Sequence, residues 1–339
     1  PARPQLPGVA MIGFVAPRAA WTAIALTIGG AILLALLPFF MAPYSIRVGQ
    51  LFILAAGLAV AWTILGGFSG YWSFGNAAFV GTGAFAAALT QVSMAGSSPV
   101  LAFTVGLIVA VAVNGLMALA IAWPILRLRG IYFAIAMLGV SQVCYELVSN
   151  IDALRGAIGL NLVDIVPRGI APERFYYWAL LICAVVITIV AITVRYTKIG
   201  YGLIAIREDE DTARMLGVPT NRYKIQAFVI SAMLTAIMGV IYAQNLGYIT
   251  ANSVYRNEFN LNVIVYSLLG GMGTIIGPIL GAGLMTYVTQ ILLGELLDIH
   301  MFVTGLLLAI LVLAAPNGLL GIYDAWRLKA RRQLQEQAP

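Results

Sequence analysis

The chain has 339 residues, 61% of them hydrophobic and 9% charged, with a mean hydropathy of +0.96. Soluble domains carry about 25% charged residues, so the composition excludes an ordinary soluble protein and predicts an all-α polytopic membrane protein. The net charge of +6 would fit a nucleic-acid partner in a soluble chain; here the cations flank apolar runs, as the positive-inside rule requires, so membrane lipid is expected and nucleic acid is not.

The N-terminal segment, residues 1–19, lacks a signal-peptide cleavage pattern before the first span. It starts on Pro1 rather than Met, which fits processing or trimming. Apolar runs at Trp21–Phe40 and Val48–Leu65 are the first two spans. The Gly-rich passage Gly66–Phe85 permits close backbone approach, or a broken helix beside a cavity, and continues to Gln91 as a short third span. Pro99–Leu126 is the fourth. A basic turn with Arg127 and Arg129 follows, then a fifth span at Ile131–Ser149 and a mixed-charge loop at Asn150–Arg174. Phe175–Val194 is the sixth span and Tyr223–Ala243 the seventh. After a polar connection, Gln244–Glu258, comes Leu261–Leu269, too short to cross alone when about 20 residues are needed. The glycine break Gly270–Gly283 runs into a ninth span ending near Leu293, and Met301–Ala315 is the last. About eight to ten helices are therefore expected in one membrane domain, residues 1–339, since no loop is long enough to fold separately. The two glycine passages are compatible with internal repeats, although they share little beyond glycine.

Between the sixth and seventh spans lies the charged stretch Arg195–Lys224, with ten of the thirty-two Asp, Glu, Lys and Arg residues of the chain. Lipid cannot hold it, so it faces water. Asp209, Glu210 and Asp211 suit a helix start, Arg214 its last turn, and Gly217 a left-handed cap; Pro219 blocks continuation and Thr220 is placed to cap the next helix. A docking helix and a solvated loop with ordinary caps both fit this pattern. Basic clusters at Arg127/Arg129, in Arg195–Lys224 and in the tail (residues 316–339, with Arg327, Lys329, Arg331 and Arg332) fall on one side when ten segments are counted. That side is expected to be the cytoplasm, with both termini, and the Glu295/Asp298 turn faces outward.

No lysine follows a glycine, so there is no P-loop, and GxSxG is absent. Cys144 and Cys183 lie in apolar spans and read as buried thiols; with His300 the sole histidine, no metal site is expected. Polar residues within spans are Asn76, Asn114, Gln142, Glu146, Asn262 and Gln290. Gln142 and Glu146 share a helix face, which Asn150 continues. Asn76, Gln142 and Glu146 are the candidates to line a solute path; interhelical hydrogen bonding is the competing explanation. The glycines Gly81, Gly83, Gly277, Gly281 and Gly283 read as tight helix packing.

Four blocks carry a family resemblance: GFSGYWSFGNAAFVGTGAF (67–85), LRLRGIYFAIAMLGVSQ (126–142), KIGYGLIAIREDEDTARMLGVPTNRYKIQAFVISA (198–232) and LLGGMGTIIGPILGA (268–282). In this order they resemble a permease subunit of the branched-chain (hydrophobic) amino-acid ABC importers, related to the urea and amide importers. In the third block, Asp211, Thr212, Ala213 and Gly217 are similar to the acid-Ala-Ala-x-x-x-Gly pattern of coupling helices, with Asp211 and Thr212 as conservative departures. The resemblance implies that Glu210, Asp211, Thr212, Ala213, Arg214 and Gly217 couple the chain to an ATPase. It also implies a second homologous permease, two cytoplasmic ABC ATPase subunits carrying ATP and Mg, a periplasmic or extracellular substrate-binding protein, and alternating access in a bacterial or archaeal cytoplasmic membrane. No cofactor and no catalysis are expected on this chain. Tyr71 and Asn76 stand where the family often has Gln and His, and NIDALRGAIGL where it often has a Thr-Gly-Gly-like segment; both departures bear on the solute. An ion-coupled carrier is the rival within transport, with Glu146 as its one candidate coupling group. A membrane-embedded enzyme lacks a catalytic constellation, and a scaffold would leave the polar residues lining nothing.

Overall fold

The computed structural model describes residues 17–292. The first sixteen residues, the Glu295/Asp298 turn, His300, the last expected span and the tail lie outside the described residues. Among those described, six helices are long and apolar enough to cross a membrane. They are α1 (Pro17–Leu36, extended by a short 3-10 turn), α2 (Pro43–Thr63), α5 (Pro99–Ile125), α6 (Ile131–Asn150), α7 (Pro172–Arg195) and α10 (Thr220–Leu246). α2, α5 and α7 each begin with proline in the first turn, where its missing N–H costs no hydrogen bond. The mixed-charge loop is shorter than expected, because α6 runs to Asn150 and α7 starts at Pro172. Within it, β1 (Leu160–Asn161) pairs antiparallel with β2 (Tyr248–Ile249), which follows α10.

The Gly-rich passage is a broken helix. The one-turn α3 (Gly66–Ser69) follows α2, residues 70–75 are non-helical, and α4 begins at Asn76 and runs to Ser93. Most of α4 is buried, although it falls short of the hydropathy of the six spans. It packs against α5, α6 and α10, so protein rather than lipid surrounds it, and its start can be capped from outside. The side-chain oxygen of Asn260 does this, accepting the Ala77 N–H at 2.7 Å. α4 and α10 approach closely: a Cβ on Gly83 would sit 2.9 Å from the Ala236 Cα, and one on Gly239 would sit 2.5 Å from the Val80 carbonyl oxygen. In lipid, such close packing replaces the hydrophobic drive that water supplies elsewhere.

α8 (Lys198–Glu208) and α9 (Glu210–Met215) join α7 to α10 at one face of the bundle, here the α9 face. The β1–β2 pair marks the opposite face. α11 (Ala251–Val254) and α12 (Glu258–Gly270) return the chain to the α9 face. α12 is about 20 Å long, shorter than a hydrocarbon core of about 30 Å, and the α11 segment supplies the rest. A turn at residues 271–275 leads into α13 (Ile276–Tyr287) and a π-helical turn to Leu292. Nine passages are thus described, the short α12 among them, as the count of ten segments requires for residues 17–292.

Candidate functional site

α9 is closed at both ends by local chemistry. Asp209 is extended, and its carboxylate accepts the Thr212 N–H at 2.5 Å, which caps the helix start. This bond holds the Asp209 carboxyl below its ordinary pKa. At the other end the Val218 N–H donates to the Ala213 carbonyl and the Gly217 N–H to that of Arg214, both at 3.0 Å. Gly217 has φ +85°, so the helix ends in a Schellman turn with glycine in the left-handed position. Thr220 does not cap α10 as expected: it is the buried first residue of the helix, Pro219 holds the cap position, and no side-chain cap bond forms. The Schellman turn delivers the chain into α10 one residue earlier than a threonine cap requires. Nothing lies within 4 Å of a Cβ built on Gly217, so substitution is felt through conformation alone. Gly217→Val should cost about 1–2 kcal/mol, fray α9 and uncouple transport, whereas Gly217→Asn, which tolerates this conformation, should stay near wild type. Amide exchange of residues 210–216 checks both.

The first carboxylate of α9 turns into the protein. Lys224, 2% exposed near the start of α10, donates to Glu210 at 2.8 Å, to the Tyr71 hydroxyl at 3.0 Å and to the Leu126 carbonyl at 3.2 Å. Its ammonium also lies 4.5 Å from the centre of the Tyr71 ring. The Tyr71 hydroxyl donates to Glu210, and Arg214 reaches the same carboxylate at 3.2 Å. Arg129, from the turn between α5 and α6, grips Asp211 through two bonds of 2.9 and 3.0 Å. Burial raises the pKa of Glu210, but the hydrogen bonds from Lys224 and Tyr71 and the surrounding cations outweigh it, so the carboxyl titrates below its ordinary value. The Asp211 carboxyl is lowered by the Arg129 hydrogen bonds. Burial and the Glu210 carboxylate push the Tyr71 phenol far up.

This anchor gathers all four blocks of the sequence. Tyr71 comes from the early glycine block, Arg129 from the second, and Glu210 and Lys224 from the third. The late block abuts them: Arg207 donates to the Gly67 carbonyl at 3.3 Å, and a Cβ on Gly273 would meet the same guanidinium. Of the residues expected to couple, Glu210 and Ala213 point inward, Asp211 is paired with Arg129, and Thr212 supplies the capped amide. Met215 and Leu216 are large apolar side chains left 86% and 80% exposed, a pair that charge counting passes over. Lys224, Tyr71 and Arg129 were not selected by sequence reasoning either. The available signal was a lysine near the start of a long, mostly apolar helix, 14 residues after a carboxylate.

Of the expected path residues, Gln142 and Glu146 are bonded to each other, and Asn76 is bonded to neither. Gln142 donates to Glu146 at 2.9 Å, and Asn150 donates to the other Glu146 oxygen at 3.0 Å, forming an exposed polar stripe along α6. Asn76 is buried at the start of α4 with its amide nitrogen unpaired among the described residues. Asn114 is buried and donates to the Ala110 carbonyl of its own helix at 2.9 Å, a local bond rather than a path contact. Gln290 lends its backbone carbonyl to Tyr44 at 3.0 Å. Cys144 and Cys183 are free, partly buried thiols.

A bundle of broken and whole spans, with a short anchored helix outside it, defines a multi-pass membrane protein. A family model described as the permease component of branched-chain amino acid transport systems matches residues 44–313, and the chain belongs to that family. It is 26% identical over 316 residues to the high-affinity branched-chain amino acid transport permease LivM of Escherichia coli K12, covering 84% of this chain and 71% of that protein. For LivM of Salmonella typhimurium LT2 the identity is 27%, over 89% and 76%. The autoinducer 2 import permease LsrC of Yersinia pseudotuberculosis is 36% identical over 118 residues, a third of each chain. No solved structure matches. The protein is a permease subunit of an ABC importer, and such a subunit is not itself catalytic.

Proposed function

We propose that this chain forms half of the path by which branched-chain or other hydrophobic amino acids enter the cell. A second homologous permease supplies the other half. Two ABC ATPases dock on the α9 face, which is the cytoplasmic face of an inner membrane, and a binding protein delivers solute to the opposite face. Alternating access follows when ATP-driven closure of the ATPases moves α9. The observation that carries this reading is the asymmetry of α9: its acidic start is tied into the bundle by Lys224 and Arg129, while Met215 and Leu216 stand exposed beyond it. An apolar pair on a charged, water-facing element is suited to a groove on a partner. Met215→Asp with Leu216→Asp should abolish co-purification of nucleotide-binding subunits while the chain still inserts. Undiminished recovery of those subunits would refute the docking role.

Glu146 favours a role in the path. A carboxylate on an exposed face of a membrane helix has to meet water, a partner or solute rather than lipid. With Gln142 and Asn150 it offers acceptors for the ammonium group of an amino acid. Glu146→Gln should lower leucine transport about tenfold or more, the scale of one charge-assisted hydrogen bond, with assembly intact. The same carboxylate is what an ion-coupled carrier would use; uptake driven by an ion gradient without ATPases would establish that reading instead.

A further inference from the structure

A cavity of about 610 Å³ lies among α1, α2, α7 and α13. On α1 its lining runs from Ala23 to Leu34, about 16 Å along the helix axis and close to half the hydrocarbon thickness of a bilayer. Gly30 and Ala31 on α1, Ala56 on α2 and Ala184 on α7 keep the space open. The threonine hydroxyls in the wall are already satisfied, and the one phenol, that of Tyr196, stands beside Arg195 at the α9 end. Thr27 donates to Ala23 at 2.9 Å, Thr188 to Ala184 at 2.7 Å, and Thr274 donates to Gly271 at 2.9 Å while accepting the Gly277 N–H at 3.0 Å. Such a wall offers water almost no hydrogen bonds, so the space suits hydrocarbon.

One end is different. Arg195, the last residue of α7, lines the cavity at the α9 face with its guanidinium 5.7 Å from the centre of the Phe68 ring. Among the described residues it makes no hydrogen bond or ion pair. Arg207, bonded to the carbonyl of the neighbouring Gly67, adds positive charge, and the one carboxylate paired with Arg207 is that of Glu208. An apolar slot one leaflet deep that ends at an uncompensated cation matches one kind of molecule.

We propose that the space under α1 is a site for an anionic phospholipid, with an acyl chain lying between α1, α2, α7 and α13 and the phosphate held by Arg195. α1, mostly exposed along its length, is held to α7 beyond the slot, where Tyr177 and Trp178 donate to the Leu34 and Ala35 carbonyls at 3.0 and 3.1 Å. Native mass spectrometry of the delipidated chain after exposure to phosphatidylglycerol or phosphatidylcholine tests this. One phosphatidylglycerol should be retained per chain in preference to phosphatidylcholine. Arg195→Gln should weaken that retention about tenfold, as for loss of a charge-assisted hydrogen bond. Nothing lies within 4 Å of a Cβ on Gly30, so Gly30→Leu fills the slot without a clash and should bring phosphatidylglycerol down to the level of phosphatidylcholine. Equal retention of the two lipids by the wild-type chain would overturn the proposal without recourse to any variant. So would retention unchanged by Gly30→Leu, the result expected if the apolar run Met301–Ala315 covers the slot. Inorganic phosphate that protects wild type and Gly30→Leu equally against thermal unfolding would mark a plain anion site instead, and would also overturn it.

Discussion

Lys224→Met should release α9 from the bundle and stop transport. The substitution keeps the length of the side chain but leaves the Glu210 carboxylate buried beside the Leu126 carbonyl without its ammonium partner. Breaking a buried pair from one side costs about 3–5 kcal/mol, because the remaining charge is stranded. Arg214 and Arg129 recover part of this from the exposed side, so the loss should show as opening of α9 rather than failure to insert. Amide exchange of residues 210–216 should rise sharply, and hydrolysis should no longer drive uptake. The double variant Lys224→Met with Glu210→Leu removes both charges and should restore much of the protection, giving a coupling energy that the single variants cannot. Protection and transport unchanged in Lys224→Met would show that the pair does not hold the helix. The same anchor has a pH signature. The Glu210 carboxyl is lowered from its ordinary value of 4.5, so its contribution is complete above that pH and disappears as pH falls through the lower folded value. Exchange protection of α9 should accordingly be flat through neutrality and lost only in acid.

Gly281→Ala should be among the most damaging single methyl additions in the chain. A Cβ there would stand 1.9 Å from the Tyr266 carbonyl oxygen, and one on Gly270 would stand 1.6 Å from that of Gly277. The obstacles are backbone atoms of helices packed in direct contact, so neither can turn aside as a side chain would. α12 and α13 have to separate, at a cost of about 3 kcal/mol or more, the upper range for overpacking. Gly283→Ala, two residues on, meets a Phe52 ring atom at 3.2 Å, and the ring can shift; it should stay near wild type. Thermal unfolding of the purified chain in detergent distinguishes the two, and equal midpoints would refute the close approach of α12 and α13.

What the residues alone determined is local or compositional. Apolar runs of bilayer length mark α1, α2, α5, α6, α7 and α10, because lipid tolerates few other segments. The limits of α9 were legible because its caps are bonds between residues at most five apart, Asp209 to Thr212 and Val218 to Ala213. Thr220 shows where that reasoning stops: a residue suited to capping is used only if the incoming chain arrives at the right angle, and the Schellman turn sets another. The break and the short third span were legible in the glycine passage, but the burial of α4 was not: it is decided by enclosure between α5, α6 and α10. Tyr71 read as a departure bearing on the solute, and the structure instead places its hydroxyl against Glu210 and Lys224. The charges of 195–224 identified a water-facing element between two spans, without saying which charges face outward. That was decided only when Tyr71, Arg129 and Lys224 were brought together, because the partner of a buried carboxylate is set by the packing of distant segments and not by its neighbours in the chain.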